Sequence, residues 1–431
     1  MREIKRRKTE SEGDSQQCEY FLEKKKRQCG LKKKPNHRFC SEHMIYDVEY
    51  KEERVPCPLD GNHTVWLKDL QKHLKKCNAK PKDVREPWYS LDYNSQVIGA
   101  INGTDTEKSE EDNTADAAEL LNKYISLLQT LSFPELPIRI SQHEGLDPRL
   151  HELKNQKHAL QQSSLIGNMK HSKLLDGSSF YLEFGCGKGE LSRYINLCVM
   201  EDLKSSTKED TKTNETYGFG FIDRGVNRMK VDSKIVKEAS EYGVDAKTKR
   251  SRIDIKDLNV DKFIEDINPV KVVCISKHLC GAATDLTLKS LLNSTLLKAH
   301  KERFGGLMIA MCCRHVCSYE QLLPQSRKYL AQHGFKTIES FNILKKAVSW
   351  AVCGTGKSDT VVNQVEDKNN EIGLNQKQRE EIGFIARRLV DESRVFALQE
   401  ILPEFDVQMF LYSDMDITLE NVCLSITPRN I

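Results

Sequence analysis

One stretch constrains the fold of this 431-residue chain more than any other. Ser179 to Leu191 reads Ser-Phe-Tyr-Leu-Glu-Phe-Gly-Cys-Gly-Lys-Gly-Glu-Leu. A short apolar run, Phe180 to Leu182, ends in Glu183; Gly185, Gly187 and Gly189 follow, and a helical pattern opens at Glu190. Strand, glycine turn and helix in this order form the opening unit of a doubly wound, mostly parallel α/β sheet. Residues without a Cβ let backbone amides approach a ligand closely. In such sheets the ligand sits beyond the carboxyl end of the strand, against the helix N-terminus.

The E-x-G-x-G-x-G form resembles motif I of S-adenosylmethionine-dependent methyltransferases. A dinucleotide fold more often shows G-x-G-x-x-G and keeps its acidic residue for the second strand, which disfavours a nicotinamide enzyme. The rest of the sheet is then sought downstream. Glu201 to Thr216 is charged and reads as a surface insertion. Tyr217 to Ile222 reads as the second strand; Asp223 at its end is placed to accept hydrogen bonds from ribose hydroxyls. Val226 to Tyr242 reads as a helix and Ser251 to Ile255 as the third strand, with Asp254 or Asp257 directed at an adenine. The apolar run Val270 to Ser276 is typical of a strand buried on both faces. Gly305 to Met311 is the fifth strand, Asn375 to Glu400 a long helix, and Phe405 to Tyr412 with Asn421 to Thr427 a closing antiparallel pair. Lys277 and His278 follow the fourth strand. Cys312-Cys313-Arg314-His315-Val316-Cys317 follows the fifth. Side chains at these strand ends are candidates for base, electrostatic stabiliser or RNA contact. Cys312, Cys313 and Cys317 read chiefly as buried structural cysteines, with a third metal site as the lesser alternative.

The N-terminal part follows different physics. Residues 1–80 hold 20 Lys and Arg against 13 Asp and Glu, a balance of +7 in a chain whose net charge is +3. Such a basic segment suits a polyanionic partner. Five of the fourteen cysteines fall between residues 18 and 77. The charged N-terminus lacks the apolar run of a secretory signal, so these cysteines read as thiols and metal ligands in a reducing compartment rather than as disulfides. Cys18, Cys29, Cys40 and His43 form a tetrahedral zinc ligand set; His37 is an alternative fourth ligand. The lysine-rich segment between them has no core of its own, so metal must organise it. Cys57, His63, His73 and Cys77 form a second set, with His73 and Cys77 on one helical face. No apolar run reaches membrane-spanning length.

Together these blocks resemble the eukaryotic tRNA 2′-O-methyltransferases that modify the fourth nucleotide of the acceptor stem. The resemblance rests on both Cys/His sets, the Gln161-Gln162-x-Ser164 region, Glu183 to Gly189, Ser276-Lys-His-Leu-Cys-Gly281 and Cys312-Cys313-x-His315. Arg314 departs from the pattern, which implies a second histidine there. The resemblance implies a Rossmann-like class I methyltransferase domain over 172–431. Preceding it are a basic tail (1–16), a CCCH finger (17–46), a CHHC finger (54–80), a linker (81–114) and a helical region (115–171). The helical region carries a stripe at Leu120, Leu121, Tyr124, Ile125, Leu128 and Leu131 that reads either as a helix packed on its own domain or as a short coiled coil. It also implies S-adenosylmethionine at Glu183, Gly185, Gly187, Gly189, Asp223 and Asp254, two structural Zn²⁺ ions, and a tRNA partner gripped by the fingers and by lysines 24–34. Lys277 or His278, with His315 as rival, would handle the proton. The implied location is intracellular, in nucleus or cytoplasm. The competing expectations are a catalytically inactive zinc-finger RNA-binding protein, or a methyltransferase of another RNA or of protein.

Overall fold

The computed structural model describes residues 17–23, 27–50, 52–77, 86–98, 117–205, 215–227, 229–351 and 373–429. The basic tail, lysines 24–26, residues 81–85 and 99–114 of the expected linker and residues 206–214 of the expected insertion lie outside them. The chain forms two compact units, Met1–Arg85 and Glu86–Ile431.

The first unit holds two small antiparallel ribbons. One pairs β1 (Phe21–Leu22) with β2 (Arg27–Gln28); the other pairs β3 (Arg54–Cys57) with β4 (Asp60–Trp66) and is followed by α1 (Leu70–Lys76). Their buried apolar clusters consist of cysteines with a few flanking side chains: Tyr20, Leu22 and Phe39 in one, Leu74 in the other. Arg54 ties the second ribbon to the segment just after Cys40. Buried at 5% exposure, it donates to Ser41 O (2.7 Å) and Thr64 O (2.6 Å), and its guanidinium lies over the Trp66 ring.

The second unit begins with α2 (Ala117–Thr130), α3 (Asp147–Glu152) and α4 (Lys157–His171). Then strands and helices alternate: β5 (Ser179–Phe184), α5 (Glu190–Ser205), β6 (Gly218–Asp223), α6 (Asp232–Ser240), β7 (Lys247–Arg252), α7 (Val260–Ile264), β8 (Lys271–Ser276), α8 (Ala283–Asn293), α9 (Thr295–Lys298) and β9 (Phe304–Ala310). Helices α10 (Pro324–Gln332), α11 (Ile338–Trp350) and α12 (Gln376–Ile401) precede the final β10 (Phe405–Leu411) and β11 (Val422–Pro428). The seven strands lie in the order β7-β6-β5-β8-β9-β11-β10. From β7 to β9 they are parallel, and β11 is antiparallel to both neighbours. Sheet order reverses direction at β5, the topological switch point where open α/β sheets hold their ligands.

Alternation along each strand places side chains in two cores, one on each face. Phe180, Leu182 and Phe184 of β5 join Val272 and Cys274 of β8 on the face covered by α7, α8 and part of α12. Tyr181, Val273 and Ile275 face the opposite core with α4, α5 and α6. A third cluster packs α2, α10, α11 and the first half of α12 together.

Four expectations change. The third strand is Lys247–Arg252, four residues before the expected start. It is an edge strand, and edges carry charge that masks the apolar signal. The expected helix 226–242 shortens to α6. The α2 stripe (Leu121, Tyr124, Ile125, Leu128) is buried against α11 and α12 within this chain, so the coiled-coil alternative has no free face there. The closing pair is antiparallel as expected: β10 pairs antiparallel with β11, and β11 with β9. Residues 86–98, within the expected linker, are bound to the sheet unit: Trp88 Nε1 donates to Ser251 Oγ (2.7 Å) and Asn94 Nδ2 to Ile255 O and Leu258 O. Among the described residues no helix is long and apolar enough to cross a membrane.

Candidate active site and metal centres

The glycine turn follows β5 at the switch point. Gly185 and Gly187 adopt left-handed backbone (φ +63° and +51°). A Cβ on Gly185 would stand 2.5 Å from His278 O, so the turn and the loop after β8 touch backbone to backbone. A Cβ on Gly187 would meet nothing within 4 Å; the turn is open there. Asp223, at the end of β6, accepts from Gly187 N (2.6 Å) and from Gly225 N (2.6 Å). Its carboxylate therefore lies beside the open face.

Glu183 is buried at 4% exposure and accepts from Ser192 Oγ (2.5 Å) and, at 3.3 Å, from Ser192 N. Burial pushes its carboxyl up to about 7, against the bonds from Ser192, which hold it down. Arg250, from the edge strand β7, crosses beneath the turn. It donates to Gly187 O (3.0 Å) and Cys186 Sγ (3.0 Å), pairs with Asp232, and lies 4.3 Å above the Phe221 ring. Asp254 caps the short turn Ile255–Asp257 by accepting from Lys256 N. Asp257, the other candidate, is buried and accepts from Asp92 N (2.8 Å) and Lys256 Nζ (3.0 Å), so it anchors residues 86–98.

Helix α4 brings polar groups to the same strand ends. Lys277 Nζ lies 3.1 Å from His158 Nδ1, within hydrogen-bonding distance. Burial lowers the Lys277 pKa, and the Lys277 charge lowers that of His158. Gln162 Nε2 donates to Glu190 Oε2 (3.3 Å), while Gln162 Oε1 is buried without a hydrogen-bond partner among the described residues. An orphaned acceptor costs free energy unless a ligand or water meets it.

His278, the next residue after Lys277, makes different contacts. It lies between Cys280 Sγ (2.7 Å from Nε2) and Cys312 Sγ (3.4 Å from Nδ1). His315 has a buried Nδ1 without a partner among the described residues. Arg314, where a second histidine was expected, is fully buried; it forms a bidentate pair with Asp391 (3.0 and 2.7 Å) and a further bond to Glu420. Cys317 packs in the apolar cluster with α11 and α12 and takes no part in a metal cluster.

In the first unit the two Cys/His sets converge. Cys18, Cys29, Cys40 and His43 form one cluster, with Cys18 Sγ and Cys40 Sγ each 3.5 Å from His43 Nδ1. Cys57, His63, His73 and Cys77 form the other, with Sγ–Sγ 3.7 Å and Cys77 Sγ 3.6 Å from His63 Nε2. A zinc tetrahedron with bonds of about 2.3 Å to sulfur and about 2.0–2.1 Å to nitrogen has edges of about 3.8 Å and about 3.6 Å, so both clusters fit the ion. Tyr20 stacks on His43 (4.1 Å) and fixes that ring. His37 packs against Tyr50 instead.

A family model described as methyltransferase TRM13 matches residues 160–427. The chain belongs to the TRM13 methyltransferase family. The CCCH zinc finger of TRM13 proteins matches residues 16–44, and a U11-48K-like CHHC zinc finger matches 54–78. Its relatives include proteins that bear the name tRNA:m(4)X modification enzyme TRM13. That of Debaryomyces hansenii is 56% identical, covering 96% of this chain and 92% of its own length. The Scheffersomyces stipitis protein is 54% identical over 94% and 98%. The Saccharomyces cerevisiae protein is 37% identical over 95% of each. The TRM13 membership makes this chain an enzyme and its two Cys/His sets zinc fingers.

Sequence reasoning overlooked three groups here. Arg250 was hidden in a charged stretch not recognised as a strand. His158 lies in a polar helix whose site-facing side had no periodic signal. Cys280 was quoted only as part of a motif, because nothing in one dimension pairs residue 280 with 312 and 313.

Proposed function

We propose that this chain methylates the ribose 2′-hydroxyl of the fourth nucleotide of a tRNA acceptor stem, using S-adenosylmethionine bound on a Rossmann-like sheet. The observation that carries the reading is the open face of Gly187, with Asp223 beside it and the Lys277–His158 pair at the end of the adjacent strand β8. The names of the relatives support tRNA as substrate. The residues fit the donor: Asp223 offers a carboxylate to ribose hydroxyls, Gly187 leaves room for a close ligand, and Gln162 Oε1 is an unused acceptor.

S-adenosylmethionine supplies an electrophilic methyl carbon on a sulfonium. The chain must hold the attacking hydroxyl in line, which is worth up to about 7–11 kcal/mol, and receive its proton, worth roughly 10²–10⁴-fold. Lys277 suits the second task, because its amine is made less basic by burial and His158 Nδ1 stands next to it. His278, held between two cysteines, is the weaker candidate, and His315 remains the rival. The A-form acceptor stem shows a shallow minor groove of hydroxyls beside its phosphates. Selection there rests on shape and charge, which suits the fingers with exposed Lys32 and Lys34. All described cysteines are free thiols, in keeping with a reducing compartment, nucleus or cytoplasm.

The test is mapping of 2′-O-methylation in tRNA from cells lacking the protein, paired with single-turnover methylation by purified enzyme. Loss of the mark at position four, and a rate reduced by about 10² or more in Lys277→Ala, are the expected outcomes. An unchanged mark rejects the substrate; full activity in Lys277→Ala rejects the base. A thermal shift with S-adenosylmethionine separates this reading from an inactive RNA-binding protein, which would show none.

A further inference from the structure

The loops after β8 and β9 bring three sulfurs and an imidazole together outside the two fingers. His278 and Cys280 come from the first loop, Cys312 and Cys313 from the second, and their donor atoms all lie within 4.8 Å of one another. Cys312 Sγ stands 3.4 Å from His278 Nδ1 and Cys280 Sγ 3.4 Å from Cys313 Sγ. We propose that His278, Cys280, Cys312 and Cys313 form a third zinc site, a Cys₃His centre that ties these two loops together.

Several independent observations carry it. The other described cysteines of the sheet unit, Cys186, Cys198, Cys274, Cys317 and Cys423, are buried. Cys280 is exposed, so apolar burial does not account for it. Cys312 and Cys313 are neighbours, and neighbouring side chains in extended backbone point apart. Here Cys313 is left-handed (φ +50°), a conformation that costs energy in a residue with a Cβ, and both thiols reach one cluster. The surroundings hold that turn: Glu420 accepts from Cys313 N (3.2 Å) and also binds Arg314, which is itself clamped by Asp391. Ser276 Oγ accepts from His278 N (3.2 Å) and donates to Phe184 O (2.6 Å), which fixes the first loop to β5. Three soft thiolates and one imidazole select zinc over hard cations, and four protein ligands close the coordination shell, as in a structural site. The donor set is the one found in the first finger. The sulfur–sulfur edge is a little shorter than the about 3.8 Å of a zinc tetrahedron. His278 meets the sulfurs through both ring nitrogens, Nε2 at Cys280 and Nδ1 at Cys312, and only one of them would bind the metal.

A zinc-bound His278 could not take up the proton, which leaves that task to Lys277; the test of the metal site itself does not use activity. Metal content of the reduced full-length protein, by elemental analysis and native mass spectrometry, should give three zinc ions per chain. Cys280→Ser and Cys313→Ser should each give two, with folding checked by circular dichroism. Cobalt substitution should show thiolate-to-cobalt absorption that falls in both variants. Two zinc ions in the unmodified protein overturn the proposal without recourse to any variant. Three in both folded variants overturn it as well, as does a Cys280–Cys313 disulfide found by peptide mapping or a metal other than zinc at the third site.

Discussion

Glu183 shows what a single buried carboxyl does to the stability of the fold. It sits in the sheet core with Ser192 as its hydrogen-bond partner, and burial lifts its carboxyl from 4.5 to about 7. A carboxyl raised in the folded state binds more protons there than in the unfolded chain between these values. Stability therefore falls as pH rises from 4.5 to about 7 and stays reduced above. The shift corresponds to about 3 kcal/mol at 1.36 kcal/mol per pKa unit. Glu183→Gln should remove this dependence: thermal melts from pH 5 to 8 should show the variant gaining on the parent as pH rises, with S-adenosylmethionine affinity lost. A pH profile of melting unchanged by the substitution would contradict this account of the site.

At the scale of elements, the sheet would be unremarked without the helix that braces it. Helix α12 opens with a capping box, Asn375 with Gln378, and carries arginines along its length. Inside the protein these are structural. Arg394 makes a bidentate pair with Asp285 of α8 (2.9 and 2.8 Å), and Asp391 of α12 receives Arg314 from the loop after β9. Removing one member of a buried pair leaves an uncompensated charge, at about 3–5 kcal/mol. Arg314→Ala should thus cost about that much in chemical denaturation. Arg314→His, the residue the family pattern suggested, should be nearly as costly, because imidazole cannot reach both Asp391 and Glu420 as a guanidinium fork does. A variant within about 0.5 kcal/mol of the parent, the range of ordinary surface changes, would mean that the network is not stabilising the loop.

At the scale of the molecule, two units are held by different forces. The sheet unit has two apolar cores and a helical cluster. The finger unit has little beyond its cysteines and a few flanking side chains, and relies on metal. Structural zinc supplies about 10–16 kcal/mol of binding in small finger peptides at pH 7. Calorimetry of the intact chain should accordingly show a transition that a strong chelator abolishes, while the sheet unit still unfolds cooperatively. A finger transition that survives complete metal removal would refute this division.

What was legible in one dimension follows from short-range chemistry. Glu183 with its glycines, the buried strand Lys271–Ser276 and the ligand spacings of both fingers are local patterns. Each is fixed by backbone geometry or metal coordination within a few dozen residues. The charged edge strand Lys247–Arg252 was displaced because a half-solvated strand needs no apolar run. The meeting of His158 with Lys277, of Arg250 with the glycine turn, and of residues 278 and 280 with 312 and 313 was decided by strand order alone. Side chains far apart in sequence become neighbours only once the parallel sheet aligns the carboxyl ends of its strands. No periodicity encodes which loops then share a rim.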